Sequence, residues 1–192
     1  MVIKKEAFPL ITIYTIAEWR AWLAKHHLKE KKVGLVSYKK HTGKSSISHR
    51  EAMNEAICFG WIDTIIKRID DESFIRYFVR RGDKANWSIN TLSYAKQLHQ
   101  EGKMTPHGLL RYQQGLQKKP HDHGLAKKPK MPKELREALA KDLQALKQFN
   151  SFQPSTKYML YRWILRGKQQ ETREKRTALV VKQAKNNKKE MR

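Results

Sequence analysis

A change of hydrophobic period at Gly60 constrains this 192-residue chain more than any other feature. Before it, Ser48 and Glu51 have the S-x-x-E spacing in which each residue satisfies the other's backbone amide at a helix start. Ala52, Ala56, Ile57 and Phe59 continue at helical spacing. Gly60 is the residue able to turn left-handed and stop the helix. After it, Trp61, Ile62, Ile65, Ile66 and Ile69, then Phe74, Ile75, Tyr77, Phe78 and Val79, are aromatic or β-branched, as strands prefer. Asp70-Asp71-Glu72-Ser73 separates the two runs with turn-forming residues. The pattern predicts a helix, a tight stop and a β-hairpin. Asp63 then shares the strand face of Trp61, and Ile62 points to the other.

The flanking segments fit the same α+β plan. Leu10 to Tyr14 is read as a short strand or extended arm. Thr15 and Glu18 form a second capping box, opening a helix whose Trp19, Trp22 and Leu23 lie three and four apart as a packed stripe. Val33 to Tyr38 is a strand. His41 to Ser46 turns the chain, and Gly43-Lys44-Ser45 has the tail of a phosphate-binding loop. The required earlier glycine is Tyr38, so that loop is excluded. Arg80 and Arg81 close the hairpin, Gly82-Asp83-Lys84 is a loop, and Ser88 caps a helix from Ile89 to His99. Gly102 stops that helix. Pro106 suits the first turn of the next, with Leu109, Leu110 and Leu116 as its apolar side.

From Gln117 to Pro132 the composition shifts to Lys, Pro, His and Gly, which marks a boundary. The expected organisation is an α+β domain over 1–117, a basic linker over 118–132 and a helical region over 133–192. His121-Asp122-His123 in the linker lacks the further ligands a metal site needs. Leu135, Leu139 and Leu143, then Leu146 and Phe149, have helical spacing. Met159, Leu160, Trp163 and Ile164 share a face of a helix begun at Pro154. A charged helix follows Gly167, with its end from Lys182 expected to fray.

Charge narrows the partners. The net charge is +23, and about 14 of the excess positive charges lie after Gln117. Such a field attracts polyanions, yet most of it is scattered lysine, which also suits a merely solvated surface. Nothing resembles a recognition helix, an RNA-binding aromatic motif or a zinc finger, so any nucleic-acid binding is expected to be unspecific. The single Cys58 excludes an internal disulfide and suits a reducing, cytoplasmic setting; it reads as a buried structural thiol. Phe8 to Ala17 lacks the pattern of a signal peptide, and no stretch approaches a membrane span.

Ala56-Ile57-Cys58-Phe59-Gly60-Trp61-Ile62-Asp63-Thr64 resembles the A-L-C-F-G-W-I-D-G signature of the YdeI/OmpD-associated family. The resemblance continues through Arg81, Trp87-Ser88 and Gly102 to Leu109. It resumes at Trp163-Ile164, Lys168, Glu171-Thr172-Arg173 and Arg176. It departs at Arg80-Arg81, where the family usually has Pro-Arg, and at Asn90, one place before Thr91. The resemblance implies a fold similar to the YjbR/CyaY-like group with a helical C-terminal region. It also implies protection against bacteriocins or antimicrobial peptides through a partner. It implies no catalytic residue set and no cofactor. The acidic, iron-attracting surface of frataxin-like proteins has no counterpart in so basic a chain.

Three function classes remain. The first is a non-enzymatic stress or protection protein acting through an unknown partner. The second is a nucleic-acid or polyanion-binding module. The third is an enzyme of unknown reaction. Asp63, Arg80, Arg81, Trp87 and Ser88 form the candidate ligand or partner patch. Their structural alternatives are an Asp63–arginine pair, Trp87 in the core and Ser88 as a helix cap. Arg173 and Arg176, one turn apart, are a candidate anion site, or else pair with Glu171 or Glu174.

Overall fold

The computed structural model describes residues 8–189. In chain order its elements are β1 (Leu10–Thr12), α1 (Ile16–His26), β2 (Lys32–Tyr38), a short 3-10 turn (Lys40–Thr42), α2 (His49–Cys58), β3 (Trp61–Arg68) and β4 (Ser73–Arg80). Then follow α3 (Ile89–Gln100), α4 (Pro106–Leu116), α5 (Lys133–Ala140), α6 (Leu143–Asn150), α7 (Pro154–Leu165) and α8 (Gln170–Lys185). The protein is α+β, and its C-terminal region is helical. The chain divides into two compact units, one up to Pro120 and one from His121 onward.

Local chemistry sets the elements of the first unit. Both predicted capping boxes form, Thr15 with Glu18 and Ser48 with Glu51, so α1 and α2 begin with their first amides satisfied. Gly60 has φ +75°, and its amide bonds the carbonyl of Ile57 at 3.0 Å. That left-handed residue turns a helix into a strand within one step. The four strands run in the order β1-β2-β4-β3, with β1 parallel to β2 and the other pairs antiparallel. Val33 and Asp63 both lie opposite Phe78. A register shift between Asp63 and Ile66 bends β3, and past it Ile65 and Ile66 are exposed on the sheet edge.

One sheet face supplies Val33, Leu35, Trp61 and Phe78 to the core, and helices supply Trp19, Leu23, Ala52, Ala56 and Ile57. Trp19 is wholly buried and donates from Nε1 to the carbonyl of Ala52 at 2.9 Å, so its one polar atom is satisfied. The apolar side expected of α4 is corrected in part: Leu109 packs against the core, but Leu110 and Leu116 are exposed, and the buried residues are Gly108, Tyr112 and Gly115. The reason is close approach. A Cβ on Gly108 would lie 2.0 Å from the carbonyl oxygen of Cys58. Thr105 donates to that same oxygen from both its amide and its hydroxyl, each at 2.9 Å.

The second unit has its own core of Leu135, Leu139, Phe149, Leu160, Ile164 and Val180 among others. Leucine spacing misplaced one residue. Asp142 accepts from the amide of Ala145 and starts α6 afresh, which turns Leu143 out to solvent. Lys182 does not begin a frayed end: α8 runs to Lys185, Ala184 is fully buried, and Lys185 pairs with Asp142 at 3.0 Å. Residues 190–192 of the expected frayed end lie outside the described residues. The compositional linker is also partly absorbed, because Asp122 is buried against Arg162 of α7 at 3.1 Å.

Candidate functional site

Where β4 ends, the backbone of Arg81 hydrogen-bonds across to the stop residue of α2: its amide donates to the carbonyl of Gly60 at 2.9 Å. This fixes Arg81 at the helix-to-strand junction. Its side chain is buried, with Cζ 3.7 Å from the centroid of the Trp87 ring and Nη1 donating to the carbonyl of Asn86 at 3.0 Å. Burial pulls this guanidinium down to about 10, with the charge of Asp63 acting the other way. Its Nε has no hydrogen-bond partner among the described residues. Trp87 packs edge-on against Tyr112, so the aromatic face beneath the cation is itself held from α4.

The remaining patch residues go elsewhere. Asp63 Oδ2 lies 2.9 Å from Nε2 of His49 and accepts from Nη1 of Arg76 at 3.3 Å. Ser88 accepts from the amide of Thr91 at 3.1 Å and caps α3. Arg80 donates from Nη1 to the carbonyl of Leu28. Arg81 and Trp87 therefore meet, whereas Asp63, Arg80 and Ser88 are engaged in an ion pair, a carbonyl contact and a cap. His49 was missed because it stands at the first helical position of α2, where only the hairpin's return brings Asp63 to it.

A second group, also packed against Gly60, was missed. His107 and Arg111 are one turn apart on α4, and both press on the stop residue. A Cβ on Gly60 would lie 2.9 Å from Cδ2 of His107 and 3.0 Å from Cγ of Arg111. The His27 and His107 rings are 5.7 Å apart. Burial, then the charges of Arg111, His27 and Arg80, hold the His107 imidazole below its ordinary value, with Asp83 opposing. Nε2 of His107 and Nε of Arg111 are buried without partners among the described residues. Arg111 Nη1 reaches Asp83 and also Gln114 at 3.0 Å, while Lys118 donates to the Asp83 carbonyl at 2.6 Å. The i to i+4 spacing of His107 and Arg111 was the available signal, but nothing local tells which way that face points.

In the second unit, Arg173 and Arg176 take neither predicted glutamate. Arg173 Nε donates to the carbonyl of Gly167 at 2.9 Å, and Arg176 Nη1 to that of Trp163 at 2.5 Å. Trp163 lies in the last turn of α7 and Gly167 just beyond it, where a helix dipole favours cations. Glu171 instead bonds Lys175 at 2.6 Å, and Glu174 accepts from Gln170 at 2.9 Å.

Cys58 is buried, and burial pushes its thiol up to about 11. Among the described residues no group of three or more His, Cys, Asp or Glu is placed to hold a metal, and no helix is long and apolar enough to cross a membrane. A cleft of about 170 Å³ is lined by Ile16, Glu51, Asn54, Glu55, Leu98 and Lys103. Its carboxylates are occupied, Glu51 by the cap of α2 and Glu55 by Arg20 at 2.7 Å.

Comparison with known families divides the chain much as the fold does. The model described as Domain of unknown function (DUF8412) matches residues 11–111, just over half of the chain. The model described as Bacteriocin-protection, YdeI or OmpD-Associated matches residues 128–187. The likeness expected over most of the chain is thus matched in the C-terminal part, while the Phe59-Gly60-Trp61 segment falls within the other model. No curated protein matches, and no solved structure matches.

Proposed function

The chain belongs to the family of the Domain of unknown function (DUF8412), and from that premise we propose a protection protein that works by binding a partner. The observation that carries this reading is the match of residues 128–187 to the bacteriocin-protection model. Action by binding is supported by how the candidate reactive groups are employed. Ser88 caps a helix, Cys58 is buried with a raised thiol, and Arg173 and Arg176 hold backbone carbonyls. The first unit is proposed to be YjbR/CyaY-like on the strength of its motif resemblance.

The partner is proposed to be a protein with an acidic face. The net charge of +23 supports attraction to such a surface and opposes direct capture of cationic peptides. The test compares survival of cells with and without the gene under bacteriocin or cationic-peptide challenge. It is joined to affinity capture from the same cells at low and moderate salt. Protection together with a salt-sensitive acidic protein is expected, and unchanged survival in the deletion strain would end this reading. A second reading, polyanion binding, rests on the same charge. Anisotropy titration with nucleic acid tests it, and no binding at low salt eliminates it.

A further inference from the structure

The cationic crescent around His107 and Arg111 has an unequal ion pair at its centre. Arg111 is 16% exposed in its side chain, pressed on Gly60 and bonded to Gln114, whereas its partner Asp83 is 80% exposed on a loop. The cation is held by the fold; the carboxylate is held mainly by the cation. Arg80, Arg111 and Lys118 contribute three positive charges here against the one of Asp83, before either imidazole is protonated. The nearby carboxylate of Asp63 is committed to His49 and Arg76. The Nε of Arg111 and Nε2 of His107 remain without partners among the described residues. A fixed, half-buried cationic group with a loosely held exposed counter-ion is the arrangement an incoming oxyanion can take over.

We propose that Arg111, His107 and Lys118 form an oxyanion site for the phosphoryl group of a small molecule, with Arg80 adding its charge from the Leu28 carbonyl and the Asp83 carboxylate as the resident stand-in. With Asp83 displaced, three positive charges face the two negative charges of a phosphoryl dianion, and guanidinium N–H groups pair bidentately with phosphoryl oxygens. Asp83 swings out with its loop as the ligand enters, freeing Nη1 of Arg111. This site is independent of the acidic-partner reading.

The test follows the histidine side-chain signals of the full chain by NMR during titration with inorganic phosphate and, separately, with methyl phosphate. A saturable shift at His107 is expected. Asp83→Asn removes the competing carboxylate and is expected to tighten binding about fivefold, since exposed pairs are weak. Arg111→Gln is expected to weaken it about tenfold or more. Glu72→Gln makes the same change of charge at the Lys44 pair and is expected to leave affinity unchanged. Tighter binding of the ester identifies a phosphorylated small molecule as the source, and tighter binding of the inorganic ion identifies free phosphate. The proposal is overturned if no saturable shift occurs at His107, if Glu72→Gln tightens binding as much as Asp83→Asn, or if Arg111→Gln binds like the parent. Should Arg111→Gln fail to fold, the comparison of the two acid variants still decides.

Discussion

Arg81 rests with its guanidinium 3.7 Å from the ring centroid of Trp87, and both residues are buried. The contact joins the end of β4 to the segment that leads into α3. A buried cation beside an aromatic face is stabilised by the ring quadrupole, by about 2 kcal/mol when desolvated. Trp87→Leu removes that face and leaves the charge in place. It is expected to cost about 3 kcal/mol or more in urea unfolding, combining lost packing with an uncompensated cation. Arg81→Met in the same background is expected to recover part of the loss. Strict additivity of the two substitutions would show that the ring and the cation are uncoupled.

Cys58 offers a chemical readout of the first unit. With the thiol pushed up to about 11 and buried, the thiolate that reacts is scarce at neutral pH. Native protein at pH 8 is expected to resist thiol-reactive dyes, with rapid labelling only in denaturant. Fast stoichiometric labelling under native conditions would contradict the burial described.

Acid is expected to weaken the first unit through His107. Burial and the neighbouring cations hold the folded-state imidazole below its ordinary value of about 6.5. The native state therefore favours neutral imidazole. Stability from this site is fully present above the unfolded value, and it is lost as pH falls below about 6.5, because the unfolded chain then binds the extra proton. His107→Gln should flatten the stability profile between pH 7 and pH 5. An unchanged slope in that window would assign the acid sensitivity to other groups.

Asp122 holds the start of the second unit. Its side chain is 6% exposed and pairs with Arg162, which also donates to the carbonyl of Ala126 at 3.0 Å. Asp122→Ala leaves a part-buried arginine without its carboxylate and is expected to cost about 3 kcal/mol in the unfolding of this unit. The double variant with Arg162→Met should be milder. If Asp122→Ala alone is neutral, the Asp122–Arg162 pair does not stabilise this unit.

Much of the backbone plan was readable because its causes are local. Ser48 with Glu51, Thr15 with Glu18, Gly60 and Ser88 each act on amides within four residues, so a one-dimensional reading finds them. The hairpin follows from the same logic, through β-branched runs separated by a turn. Local reading failed at Leu110, Leu116 and Leu143, whose spacing is helical and whose side chains are exposed. The small residues Gly108 and Gly115, and the cap at Asp142, decide those helix orientations instead.

Of the candidate patch, the sequence placed Asp63, Arg80, Arg81, Trp87 and Ser88 near one hairpin but not their partners. His49 reaches Asp63, and Arg111 reaches Asp83 across 28 residues, only because strands and helices return to the same end of the sheet. Arg173 and Arg176 show the same division. Their spacing on α8 was fixed by the helix repeat, while their choice of carbonyls over glutamates was fixed by where α7 ends. The order of residues thus determined the elements, the caps and the excess of charge. Tertiary structure alone decided which charges are neutralised, because the pairing of distant side chains depends on packing that no local pattern encodes.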